Sequence, residues 1–402
     1  MTSLPGIVIP GVTVLDLGAL FDVLLPRMRT MVLVLCIGLF AMSFDFISGY
    51  TGYLSFGHAM FFGIGAYFVI LTATDSVPFL PADTPFLILL VLGALLAALA
   101  ALLVGSVSFR LTGVYFAMIT LGFAEVAHVF IQNWDHIPGD PRDGVSYGGG
   151  FEMGVPYVDS LSVGFSTLVG DSLQLGPVEL GSTTVSFYAI GVVVLVCYFA
   201  MQRIIHSPFG RVMIAIRENE ERARAIGYNT YWYKMAAFTI SGFFGAVAGA
   251  LFAGYRRSVA PDNTFDLFVT ADALLAAIIG GFGTLAGSLY GHLFHEFLAD
   301  VLTTERHGLA RYLRDALPEA VLSAGLGDAT VLAAINVLLD GRAELYLGIV
   351  FILFVLFVPQ GLLGTVRERI GGSAAEKLPG YLRRALGRYR KHLSRYVRGV
   401  RS

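Results

Sequence analysis

PFLILLVLGALLAALAALLVGSV, residues 85–107, runs for twenty-three residues without a single charge. At about 1.5 Å rise per residue such a helix is about 35 Å long, enough to cross the roughly 30 Å hydrocarbon core of a bilayer. It carries no polar face, whereas a helix on the surface of a soluble domain would need one. Comparable runs recur at 30–47, 113–132, 185–202, 235–255 and 345–358. Three shorter apolar segments, 58–72, 266–279 and 284–298, are each flanked by Gly-rich breaks. The expected fold is all-α: a polytopic integral membrane protein of about 8–9 membrane segments, two of them broken or re-entrant.

Composition agrees. Of 402 residues, 56% are hydrophobic and 14% charged, where a soluble protein needs about a quarter charged. The net charge of −2 says little; its distribution says more. Basic loops stay on the cytoplasmic side. The tail 365–402 holds eleven Lys and Arg against two Glu, and the loop 203–234 carries Arg203, Arg211, Arg217, Arg222, Arg224 and Lys234. Both are expected inside. The loop 133–184 holds seven acids and one base and is expected outside, as is the long segment 299–344. Arg256 and Arg257 stand against this scheme, and the balance of Arg27 and Arg29 with Asp16 and Asp22 leaves the N-terminal side open. Residues 1–29 read as an interfacial segment, because Pro5, Pro10, Asp16 and Asp22 interrupt the apolar stretch and no basic start precedes it. Residues 30–364 form the transmembrane domain. Cys36 and Cys197 lie inside apolar runs and read as core residues rather than a disulfide or metal site.

Two breaks, GYTGYLSFGH at 49–58 and GGFGTLAG at 280–287, share a G-x-x-G-x-L core in opposite halves of the chain. Non-helical backbone at membrane depth is tolerated where it lines a cavity or is buried in protein, and paired interruptions point to a transporter's path. Close helix packing is the competing reading of the same glycines. Ionisable groups inside spans are costly and face the bundle or a wet path. The translocation-path candidates are therefore Asp45, Gly49, Gly52, Ser55, His58, Glu125, Asp272, Gly280 and Gly283, with His128 one turn from Glu125. Interhelical hydrogen bonding is the alternative role for the ionisable ones.

The most informative stretch outside the spans is SPFGRVMIAIRENEERARAIGYN, residues 207–229. Ser207 and Pro208 start a helix. Residues 211–226 read as one amphipathic helix, with Val212, Ile216, Ala223 and Ile226 among charges, and Gly227 with Asn229 ends it. A short charged helix between two spans has its natural use in docking to a soluble partner; a solvated loop is the plain alternative.

Five ordered stretches, 48–68, 110–126, 207–229, 273–287 and 357–364, together resemble the branched-chain amino-acid ABC transporter permease family, in its LivM-like form. The resemblance covers about residues 30–365. It implies a second, homologous permease subunit, two ABC ATPase subunits below and an extracytoplasmic solute-binding protein above. It also implies a small polar solute as cargo and location in the cytoplasmic membrane with the C-terminus inside. Arg217, Glu218, Glu221, Ala223 and Gly227 fall where such importers couple to the ATPase, with Arg222 and Arg224 at positions usually small. The chain departs from the family in its Pro-broken first apolar stretch and in its long outer loops. The basic tail, with Tyr381, Leu382, Leu386, Tyr389 and Leu393 spaced among Arg and Lys, reads as an amphipathic helix on anionic membrane lipid.

The chain holds no G-x-x-x-x-G-K-[ST] loop and no H-E-x-x-H spacing, so it is expected to be no enzyme and to bind no cofactor or metal itself; ATP and Mg belong to the partner ATPase. Nothing in the charge pattern calls for nucleic acid. A urea or short-amide importer permease shares the same architecture. A secondary transporter, working without ATPase partners, and a membrane-embedded enzyme or assembly factor are readings of other classes.

Overall fold

A computed structural model describes residues 7–9, 12–15, 28–149, 151–155, 158–165, 173–175, 178–180, 182–302, 325–326, 329–330, 343–358 and 361–365. The basic tail, most of the N-terminal segment and most of 303–342 lie outside the described residues, and the interfacial readings of those parts with them.

Each apolar run forms a helix. In chain order these are α1 (Met28–Thr51), α2 (Ala59–Ala73), α3 (Phe86–Ser108), α4 (Val114–Gln132) and α5 (Ser182–Ile205). After α5 come two short helices, α6 (Pro208–Glu218) and α7 (Glu220–Ala225). The bundle then resumes with α8 (Thr230–Arg256), α9 (Leu267–Gly280), α10 (Leu285–Leu302) and α11 (Ala343–Phe357). Among the described residues seven helices are long and apolar enough to cross a membrane, and α2 is a shorter apolar one. The chain is a polytopic membrane protein.

α1 is apolar on every side and is buried almost throughout from Val32 to Thr51, as an all-round apolar helix should be. It packs against α8, α10, α5 and α9, while α8 also packs on α2 and α3. Aromatic rings fill the centre: Phe40, Phe44, Phe61, Phe62, Phe116 and Phe238 are nearly inaccessible. The outer faces of α3, α4, α5 and α11 expose Leu99, Leu103, Met118, Val126, Val192, Phe199, Leu353 and Leu356, a surface suited to lipid or to another membrane subunit.

Arg29, at the start of α1, lies within electrostatic reach of Tyr255, at the end of α8. α1 therefore begins at the end of the bundle opposite the α6–α7 hairpin, which the charge count left open. The loop after α4 is tied to that same end: Val145 pairs with Val259, and the Tyr147 N–H donates to the Arg257 carbonyl at 2.8 Å. This loop is not without sheet. Phe151–Val155 pairs antiparallel with Val158–Phe165, and Leu173–Leu175 with Val178–Leu180. Their alternating, β-branched residues suit a hairpin outside the membrane.

One expectation is corrected. Residues 211–226 are not a single helix: α6 begins at Pro208, capped by Ser207, and the chain breaks at Asn219 (φ −165°, ψ 102°). The Asn219 side chain accepts the Arg222 N–H at 2.9 Å, and Glu220 and Glu221 then occupy the first turn of α7. Asn is among the best N-caps and acids favour a helix start, so capping a new helix here outweighs continuing the old one.

Candidate functional site

The sequence places its two Gly-rich breaks far apart; the fold brings them into contact. α1 ends at Thr51, and Gly52 takes φ +78°. α9 ends at Gly280, and Gly283 takes φ +84°, a region that favours glycine. The Gly283 N–H donates to Oδ1 of Asp45 at 2.7 Å, and Asp45 is fully buried. Nη1 of Arg217, from the last turn of α6, donates to the Gly49 carbonyl. A Cβ on Gly49 would lie 2.7 Å from the Gly283 nitrogen and 2.2 Å from Asp45 Oδ1. Backbone approach this close leaves no room for a side chain. Gly49→Ala is therefore expected to push the two broken ends apart. Surface expression and transport should fall together, whereas Gly122→Ala, where a Cβ meets nothing within 4 Å, should leave both intact. A normal yield of active Gly49→Ala would sink this account of the joint.

The other stretches that carried the resemblance end at the same place or just above it. Gly361 packs its backbone on Gly281, and Gly57 approaches the Thr120 carbonyl so closely that a Cβ would sit 2.0 Å from it. Between Gly52 and His58 the chain is non-helical and enclosed: Ser55 and His58 are fully buried. Nε2 of His58 sits 3.2 Å from Ser43 Oγ and 3.3 Å from Ser241 Oγ, among the rings of Phe40, Phe44 and Phe61. The Ala59 N–H donates to Thr270 Oγ1 at 2.8 Å. Among the described residues, Ser55 Oγ and His58 Nδ1 have no hydrogen-bond partner.

Below the joint lies an ion cluster. Oε1 of Glu220 accepts from Lys234 Nζ at 2.8 Å, Arg224 Nη2 at 2.7 Å and Thr230 Oγ1 at 2.8 Å. Its Oε2 accepts from Tyr53 Oη at 2.6 Å. Lys234 also donates to Tyr53 at 2.9 Å and lies 4.5 Å above its ring. Val212, Ile216 and Ala223 close the apolar side of the hairpin against Tyr53 and Tyr233. The hairpin is therefore pinned twice, through Arg217 to the end of α1 and through Glu220 to Tyr53 and α8. Its far side stays open: Glu218, Glu221 and Gly227 are exposed, as are Ile214, Ile226 and Tyr228.

Of the residues singled out from the sequence, Asp45, Gly49, Gly52, Gly280, Gly283 and Arg217 come together at the joint, with Ser55 and His58 just above it. Glu125 and Asp272 stand apart from it, both exposed on the isolated chain. Glu125 lies 4.0 Å from Nδ1 of the buried His128, whose Nε2 bonds Asp262 Oδ1 at 3.1 Å. His128, Asp262 and Asp266 can bring one ligand atom each within 4.8 Å of one another. The donors already have partners, since Asp262 also accepts from Gln132 and Asp266 caps α9, so this group ties α4 to the turn before α9. Sequence reading missed Glu220, hidden between Glu218 and Glu221, and Tyr53. The one available signal was the i, i+4 pairing of Glu220 with Arg224.

Residues 27–358 match the family described as branched-chain amino acid transport system / permease component. The high-affinity branched-chain amino acid transport system permease protein LivM of Salmonella typhimurium is 29% identical over 331 residues, covering 81% of this chain and 67% of that protein. LivM of Escherichia coli K12 is 27% identical over 330 residues with the same coverage. The ribose import permease protein RbsC of Haemophilus influenzae is 26% identical over 148 residues, 35% of this chain and 44% of that protein. No solved structure matches the chain.

Proposed function

We infer, because this chain belongs to the branched-chain amino acid transport system permease family, that it is the membrane-spanning permease subunit of an importer that carries branched-chain amino acids across the cytoplasmic membrane at the expense of ATP. The ATP is hydrolysed by two partner ATPase subunits, a second permease completes the membrane part, and an extracytoplasmic solute-binding protein delivers the cargo. The basic C-terminal tail then lies in the cytoplasm.

The observation that carries this reading is the pinned hairpin. A short amphipathic element whose apolar side is anchored by Arg217 and Glu220, and whose other side is open, is built to pass motion from a soluble partner to the helix ends it holds. Those ends are the two breaks, so a shift of α6 moves α1 and α9 together. Glu218, Glu221 and Gly227 supply the docking face, and Ala223 the small residue beneath it. Of the path candidates, Glu125 and Asp272 are exposed on the isolated chain, whereas the fully buried Asp45, Ser55 and His58 meet a solute only when the broken ends move.

The amino-acid reading stands ahead of a sugar, because the sugar-permease likeness covers about a third of the chain and the LivM likeness most of it. Reconstituted with its second permease and both ATPase subunits, and supplied with the binding protein, the chain is expected to accumulate leucine only when ATP is present inside. Equal uptake without ATP would overturn the importer reading. ATP-driven uptake of urea with leucine ignored would overturn the cargo.

A further inference from the structure

α10 carries two histidines and two acids, and its polar residues share one face. Ser288, His292, Glu296 and Asp300 follow one another at intervals of four residues, so they stack along the helix. The His295 ring lies beside that of His292, centroids 6.2 Å apart and planes 25° apart. Ser288 is fully buried and His292 is 3% exposed. Among the described residues, Ser288 Oγ and both ring nitrogens of His292 have no hydrogen-bond partner. His292 stands about 10 Å above Leu285 at 1.5 Å rise per residue, well inside the membrane.

The carboxylates above it are equally unprovided for. Among the described residues Asp272, Glu296 and Asp300 form no ion pair. Glu296 is within electrostatic reach of His295, Asp300 and Asp272, the last on α9, which packs directly on α10. Asp272 is exposed and Glu296 half-buried on the isolated chain. Charges at this depth do not face lipid; they face protein or water. Below Ser288 the row is closed, because the Gly280 backbone meets that of Gly287 at the joint held by Arg217.

We propose that this face of α10, with Asp272 of α9 beside it, is a wet track, closed at the joint, that binds the ammonium group of the solute. Asp272 and Glu296 supply the negative charge. The unprotonated ring nitrogen of His292 and the Ser288 hydroxyl accept the remaining N–H donors. The proposal deepens the amino-acid permease reading and rests on it for the identity of the cargo.

Two measurements on the assembled transporter test it, one independent of that reading. With Cys36 and Cys197 replaced by Ala, the variants His292→Cys, Glu296→Cys and Asp300→Cys are exposed to cationic and anionic methanethiosulfonates from outside sealed vesicles. Each should react, the cationic reagent about tenfold faster, as expected where carboxylates focus cations. Leu353→Cys, on the apolar outer face of α11, should stay unreacted. Labelling no faster than at Leu353→Cys, or without charge preference, overturns the track whatever the cargo. Asp272→Asn/Glu296→Gln should raise the leucine KM at least about tenfold, the scale of a lost bond to a charged group. Assembly with the second permease and both ATPase subunits should be unchanged. If the unsubstituted protein transports leucine and the KM of the variant is the same, the ammonium assignment is wrong while the permease reading stands. If the unsubstituted protein moves no leucine but labelling follows the pattern, the permease cargo is wrong and the track remains.

Discussion

Glu220→Ala is expected to release the cytoplasmic hairpin from the membrane helices. Lys234 is 2% exposed, and its ammonium has two hydrogen-bond acceptors, Glu220 and Tyr53. Removing the carboxylate leaves a buried cation facing a phenol and aromatic rings. Breaking a buried pair from one side typically costs about 3–5 kcal/mol, more than a short hairpin whose apolar contact is Val212, Ile216 and Ala223 can absorb. Glu220→Gln keeps the shape and should be milder. Glu220→Ala/Lys234→Met removes both charges and should be less destabilised than the sum of its single variants. Burial alone would push the Glu220 carboxyl up, but hydrogen bonds from Lys234, Tyr53 and Thr230 outweigh burial and bring it down to about 2. A carboxylate with a depressed pKa stabilises the folded form fully above its ordinary value of about 4.5 and loses that contribution as pH falls toward 2. The hairpin should accordingly be firm at pH 7 and loosen below about 4.5. Hydrogen exchange of the α6 and α7 amides reads both effects. Unchanged protection in Glu220→Ala would remove the cluster from the account of how the hairpin is held.

The membrane helices were legible because a bilayer imposes length and apolarity directly on sequence. The run at 30–47 became α1 with a few residues added at each end, and 266–279 became α9 with Asp266 as its cap. Helix ends outside the spans were legible where capping chemistry is local, as at Ser207-Pro208. The break at Asn219 was not. Amphipathic periodicity runs straight across it and hides the Asn219 cap, whose new helix also brings Glu220 to Lys234, fourteen residues on. The same limit applies to the joint. The two G-x-x-G-x-L breaks are visible as a pair, but only the fold makes Gly49 and Gly283 neighbours and lays Arg217 across them. The row on α10 had a readable signal, polar groups at every fourth position, obscured by the Leu and Phe between them.

Arg217→Met is expected to separate ATP hydrolysis from solute movement. The Gly49 carbonyl belongs to the last turn of α1, where carbonyls have no partner within the helix, and Arg217 supplies one from α6. Asp45, one turn earlier, fixes Gly283 of the opposite break. One guanidinium thus sits where the hairpin, the end of α1 and the end of α9 meet. On the reading that partner ATPases move the hairpin, this contact decides whether the broken ends follow. A hydrogen bond to a charged group contributes about 1.5–3 kcal/mol. Its loss should therefore lower the leucine moved per ATP hydrolysed by about ten- to hundredfold, with the complex still assembled and still hydrolysing. Arg217→Lys should restore part of the ratio, since a point charge on a flexible stem can reach the same carbonyl but lacks the planar fork. Glu218→Gln, exposed beside it, tests the docking face rather than the contact and should weaken ATPase binding without changing the ratio. A stoichiometry in Arg217→Met equal to that of the unsubstituted protein would mean that the hairpin's motion reaches the bundle by another route, with the Glu220–Tyr53–Lys234 cluster the remaining connection.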